Sequence, residues 1–151
     1  MYDEKFMKYA LLCAKKAVRY GEVPVGAVLV KDGKIVSSGY NKRETKKNAL
    51  MHAEIIAINR ACKKLGGWRL SGCELYITLE PCPMCAGAII NSRIDTVYIG
   101  TSDSKSGAFG SVCDLSIMPF NHKPKILYGF LQDECSDILR EFFQKLRLKN
   151  R

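Results

Sequence analysis

The sequence predicts an α/β fold of three layers, a mixed sheet of about five strands with helices on both faces. Three observations lead there. An Asp32-Gly33 turn signal joins two apolar, strand-like runs near the N-terminus. After that hairpin, strand-like runs alternate with segments of helical periodicity, the pattern of a sheet covered by helices. The 151 residues, 47% of them hydrophobic, suffice for one domain with a proper core. No repeat, low-complexity tract or Pro/Ser-rich linker divides the chain, so residues 1–151 read as a single domain.

The elements follow in order. From Asp3 to Tyr20, residues Phe6, Ala10, Cys13, Ala14, Ala17 and Val18 recur at helical spacing, and Gly21 stops the helix. Pro24 opens VGAVLV, a strand, and Lys34 to Tyr40 is its returning partner. Residues 41–49 (NKRETKKNA) are polar and basic and form a loop. His52 to Leu65 is helical, with Ile55, Ile56, Ile58 or Asn59, and Cys62 giving an apolar side, and Gly66-Gly67 closes it. Glu74 to Leu79 is a short strand. Pro83 suits the first turn of the next helix, where a missing N–H loses nothing, and that helix runs to about Ile90. Asp95 to Gly100 is a further strand, followed by the loop TSDSKSGAFGS. Residues 125–128 read as a last short strand and Gln132 to Leu148 as the final helix.

Composition narrows the function. Twenty-four Lys and Arg against 15 acidic residues give a formal charge of +9, which suggests a polyanionic partner, although solubility alone also explains such an excess. No apolar run approaches the roughly 18 residues a membrane span needs. The start MYDEKFMKYA lacks a basic segment followed by an apolar core. Seven cysteines, an odd number, therefore fit a reducing, cytoplasmic setting better than a disulfide framework.

The chemistry centres on TLEPCPMCAGAII, residues 78–90. Cys82 and Cys85 are spaced so that a helix presents both sulfurs on one face, and a helix N-terminus stabilises thiolates. They read as a redox pair, as two ligands of a catalytic metal, or as half of a structural zinc site with Cys73. The chain has two histidines. His52 lies two residues before Glu54, and these two share a site only if His52 sits in the very first turn of its helix. His52, Cys82 and Cys85 would then leave the fourth zinc position open to water, with Glu54 beside it as proton shuttle. A lone histidine is more often filler, and a lone Glu in a first turn more often a partner of the helix dipole. The order H-x-E followed about thirty residues on by P-C-x-x-C is far more specific, being the general signature of zinc-dependent nucleobase deaminases.

The likeness extends beyond that signature. PVGAVLV, HAEIIAI, WRLSGCELYITLEPCPMCAGAIINSRI, DSKSGAFGS and ECSDILREFFQKLR together resemble the bacterial tRNA-specific adenosine deaminases over nearly the whole chain. The resemblance implies a cytidine-deaminase-like α/β/α sandwich acting as a homodimer. It implies hydrolytic conversion of the wobble adenosine of a tRNA anticodon to inosine, with one Zn2+ per subunit. It places His52, Cys82 and Cys85 as zinc ligands and Glu54 as general acid–base. Asn41 would hydrogen-bond the target base and Val25 would form a wall of its pocket. Asp103 and Lys105 would handle flanking nucleotides, and Phe142, Phe143 and Arg147 would meet the anticodon loop.

Each of these has a plainer reading. Asn41 suits a turn, Val25 any strand, and one of Phe142 and Phe143 must face the core. Arg147, with Lys145, Lys149 and Arg151, also fits a solvated basic tail. His122 reads as a turn or surface residue. Leu50-Met51 before the histidine and bulky Phe109 in the glycine loop depart from the family pattern at positions that could shape the pocket mouth. Two other functions share part of the pattern. One is a small-molecule deaminase acting on guanine, cytosine or a nucleoside. The other is a non-catalytic zinc module that binds RNA, for which Glu54 has no use.

Overall fold

The computed structural model describes residues 1–150. Helix α1 (Glu4–Arg19) precedes the hairpin of β1 (Gly26–Lys31) and β2 (Lys34–Tyr40), and α2 (Ala53–Leu65) leads to β3 (Cys73–Leu79). Then come α3 (Pro83–Asn91), β4 (Thr96–Thr101), a short 3-10 turn at Leu115–Ile117, β5 (Lys125–Tyr128) and α4 (Gln132–Lys149). The strands form one sheet in the order β2-β1-β3-β4-β5. Strand β1 is antiparallel to β2 and β3, whereas β3, β4 and β5 run parallel. The sheet is thus mixed and five-stranded, as the sequence implies. The hairpin turn has positive φ at both Asp32 (52°) and Gly33 (73°), the backbone that lets a two-residue connection follow the strand twist.

Alternation along the strands divides the interior into two cores. Ala27, Leu29, Leu75, Ile77, Val97 and Ile99 face one side and pack with α2 and α3. Val28, Val30, Tyr76 and Tyr98 face the other and pack with α1 and the start of α4. The apolar stripe of α1 is wider than its spacing predicts, since Met7 and Leu11 are buried while Val18, expected inside, is 40% exposed. On α2 the buried face is made by Ala53, Ile56, Ala57 and Ala61 more than by Ile55 and Cys62, which are half-buried. Among the described residues no helix is long and apolar enough to cross a membrane.

Close approach of α1 to the sheet depends on Gly26. A Cβ there would lie 1.9 Å from the Ala10 carbonyl oxygen and 2.7 Å from the Ala14 nitrogen, both backbone atoms that cannot swing aside. Gly26→Ala is therefore expected to destabilise the protein by roughly 3 kcal/mol, the upper end of the usual overpacking cost. Urea unfolding should show a lower midpoint at unchanged slope, and an unchanged midpoint would contradict the packing described.

Candidate active site

The N-termini of α2 and α3 meet at the end of the sheet where β3 and β4 finish, the usual place for a ligand beside parallel strands. Pro81 follows the end of β3 and Pro83 occupies the first turn of α3, where its missing N–H loses nothing. Cys82 is the N-cap of α3 with extended φ/ψ (−74°, 174°), and Cys85 lies one turn on. His52 is likewise an N-cap, that of α2, with φ −76° and ψ 156°. The predicted helix start at His52 is thus one residue early. That residue matters, because an extended His52 escapes the opposed directions of positions two apart within a helix.

The three side chains converge. His52 Nδ1 is 3.6 Å from Cys82 Sγ and 3.5 Å from Cys85 Sγ, and the three donor atoms lie within 4.8 Å of one another. Among the described residues this is the only group of three His, Cys, Asp or Glu side chains so arranged. Two sulfurs and one imidazole at this separation fit a tetrahedral zinc ion with one position left over. Cys73, the candidate fourth donor, begins β3 at its other end, roughly 20 Å of strand from the cluster. All seven cysteines are free thiols. His122 lies elsewhere, its Nε2 donating to the Ile94 carbonyl at 2.6 Å.

The electrostatics suit the same ion. The Cys82 thiol is pushed down to about 4, chiefly by a hydrogen bond from Cys85, against burial and with help from His52. The free N–H groups at the start of α3 add positive potential. Glu54, 4% exposed in the first turn of α2, is moved the other way, burial lifting its carboxyl to about 7 against the pull of its own backbone N–H and of His52.

These groups open onto a cavity of about 610 Å³, within the range of small-molecule and base pockets. His52, Glu54 and Cys82 line its floor, and Asn41 and Val25 line it from the ends of β2 and β1. Asn41 is 7% exposed and already bonded: Nδ2 donates to the Val23 carbonyl at 3.3 Å, and Oδ1 accepts from Arg43 N–H at 3.1 Å. The turn-forming role is therefore real, yet one amide hydrogen and one lone pair remain for a ligand. Asp103 and Lys105 also line the cavity, with Asp103 Oδ1 accepting from the N–H groups of Lys105 (3.0 Å) and Ser106 (3.3 Å). From α4, Phe143 reaches the cavity and is 40% exposed. Phe142 is half-buried against it, ring centroids 5.4 Å apart, and lines no part of the cavity; nor does exposed Arg147. Leu50, Met51 and Phe109, expected as modulators of the mouth, are not in the lining either, and Phe109 is buried in the core.

Among the residues sequence reading missed are Arg43 and Leu139, which line the cavity, Glu80, which lines it and is 2% exposed, and Glu22, which is fully buried.

A family model for MafB19-like deaminases matches residues 1–147. The tRNA-specific adenosine deaminase of Bacillus subtilis (strain 168) is 48% identical, covering 99% of this chain and 93% of its own. That of Aquifex aeolicus (strain VF5) is 47% identical, covering 97% of each. A solved structure from a study of A-to-I editing by tRNA:A34 deaminases at the wobble position of transfer RNA superposes with a TM-score of 0.88. It is 41% identical and covers 91% of this chain and all of the other. The guanine deaminase of Nitrosomonas europaea is more distant, at 27% identity and a TM-score of 0.77 over 93% of this chain and 84% of its own.

Proposed function

The chain belongs to the MafB19-like deaminases and, within them, to the tRNA-specific adenosine deaminases, and on that premise we propose that it converts the wobble adenosine of a tRNA anticodon to inosine by hydrolysis. The observation that carries the chemistry is the convergence of His52, Cys82 and Cys85 on one point, with His52, Cys82 and buried Glu54 lining the cavity beside it. We assign the first three as ligands of one Zn2+. Bound there, zinc would act as a Lewis acid that brings the pKa of a water in its open position to about 7.

The protein's own groups do the rest. Glu54 accepts a proton as the water oxygen bonds to C6 of adenosine. It passes that proton to ring N1, then takes the remaining proton from the new C6 hydroxyl and delivers it to the amine, so that the C6–N bond breaks, C6 becomes a carbonyl and ammonia leaves. A carboxyl lifted to about 7 by burial is suited to take and give protons at neutral pH. Asn41 presents its remaining donor and acceptor to the base, with Val25 as an apolar wall. Asp103, Lys105 and Phe143 stand where nucleotides beside the target would pass. An anticodon-loop adenosine leaves its stack at modest cost, and the net charge of +9 supports grip on phosphates without regard to sequence. Phe142 and Arg147 stay in the proposal as contacts further along the loop, and the resemblance extends it to a cytoplasmic homodimer.

Incubation with an anticodon stem-loop, free bases and nucleosides tests this reading. Inosine should form in the stem-loop only. Turnover of the free compounds alone would favour the guanine-deaminase type of activity and refute the RNA reading.

A further inference from the structure

Two acids outside the reaction are as deeply buried as Glu54. Glu22 follows α1 and is 0% exposed, and Glu80 follows β3 and is 2% exposed. Among the described residues neither forms a salt bridge. Each instead gathers donors from a distant loop. Glu22 accepts from the N–H groups of Glu44 (3.0 Å) and Thr45 (2.6 Å). Glu80 accepts from Asp103 N–H at 3.0 Å, from Phe109 and Ser111 N–H at 3.1 Å each, and from the Ser111 hydroxyl.

The two sets of donors belong to two loops at the cavity mouth: residues 41–52 supply Arg43 to its lining, and residues 102–114 supply Asp103 and Lys105. A carboxylate accepts through two oxygens and donates nothing, so several N–H groups can converge on it from different parts of a loop. The fit around Glu80 is tight enough to dictate sequence. A Cβ on Gly107 would stand 2.3 Å from the Glu80 Cδ and Oε2 atoms. Glu80 also stands two residues before Cys82, so it ties the substrate loop to the segment that carries the metal-site sulfurs.

We propose that Glu22 and Glu80 are positioning residues for deamination, each holding one loop of the pocket mouth in the shape that receives the RNA. This rests on the RNA reading above, and it concerns neither the metal nor the proton transfers. Their removal therefore acts on KM more than on kcat.

The test compares Glu80→Gln, Glu22→Gln and the milder Ser111→Ala with the wild type on an anticodon stem-loop. Glutamine keeps the shape but turns an NH2 toward donors. KM should rise about tenfold in both Gln variants and about threefold in Ser111→Ala, the scale of losing hydrogen bonds to a charged group or a single donor. The kcat should change much less, and zinc stoichiometry should stay at the wild-type value. Amide exchange should speed up at Asp103, Phe109 and Ser111 in Glu80→Gln, and at Glu44 and Thr45 in Glu22→Gln. Should Glu80→Gln fail to fold, Ser111→Ala reads the same contact by KM and exchange. A fall in kcat at unchanged KM, loss of zinc, or unchanged exchange would overturn the assignment. Wild-type inactivity on the stem-loop would overturn the RNA reading instead, whereas unchanged exchange in an active Glu80→Gln enzyme removes the positioning role alone.

Discussion

Glu54→Gln is expected to fold, to bind zinc at wild-type stoichiometry, and to make inosine about a hundred- to ten-thousandfold more slowly, the range a positioned general acid–base supplies. The argument starts from burial. A carboxyl 4% exposed, with no basic side chain paired to it among the described residues, is a costly thing to keep in a first helical turn. Burial raises it to about 7, so that it changes charge readily at neutral pH, which a structural role does not require. Glutamine preserves volume and the helix but can neither take nor return a proton. Because the substitution also removes a buried ionisable group, thermal stability should be equal to or above that of the wild type. Single-turnover inosine formation, with metal analysis of the same sample, checks both halves. A near wild-type rate in the zinc-loaded variant would remove Glu54 from the chemistry.

What could be read from the sequence depended on the range of the signal. The turn at Asp32-Gly33, the alternation in GAVLVK and the proline that opens α3 are local, and the hairpin, the strand and the helix followed from them. The H-x-E and P-C-x-x-C groups were also local, though whether they met depended on one backbone conformation, the extended His52 that caps α2. Glu22 and Glu80 were invisible for the opposite reason. Their partners lie 22 to 31 residues away in loops whose path no periodicity fixes. The Phe142–Phe143 pair shows a third case. Helical periodicity requires one ring to turn inward, but only packing of α4 against the sheet makes Phe143 the one at the cavity.

Cys85→Ser is expected to lower zinc affinity by more than about a hundredfold, since even the outer partners of a metal ligand contribute about ten- to a hundredfold. Cys85 is fully buried in the first turn of α3, whereas Cys82 at the N-cap is half-buried. The two sulfurs are therefore not equivalent. Without metal, the Cys85 thiol donates to Cys82 and its own ionisation is pushed well above the usual thiol range by that bond and by burial. Binding an ion at both sulfurs must displace the Cys85 proton, so uptake should release protons and weaken as pH falls. In Cys85→Ser the hydroxyl can still donate to Cys82, so the fold and the low Cys82 ionisation should persist while the second anionic donor is lost. The variant should then emerge as a folded protein with substoichiometric zinc and no inosine formation. Cys82→Ser, at the half-buried N-cap, should lose metal as well but disturb the interior less. Full zinc occupancy in both variants would refute the assignment of these cysteines as ligands. Zinc loss together with global unfolding in Cys85→Ser alone would mean that the ion holds the α2–α3 junction together as well as serving the chemistry.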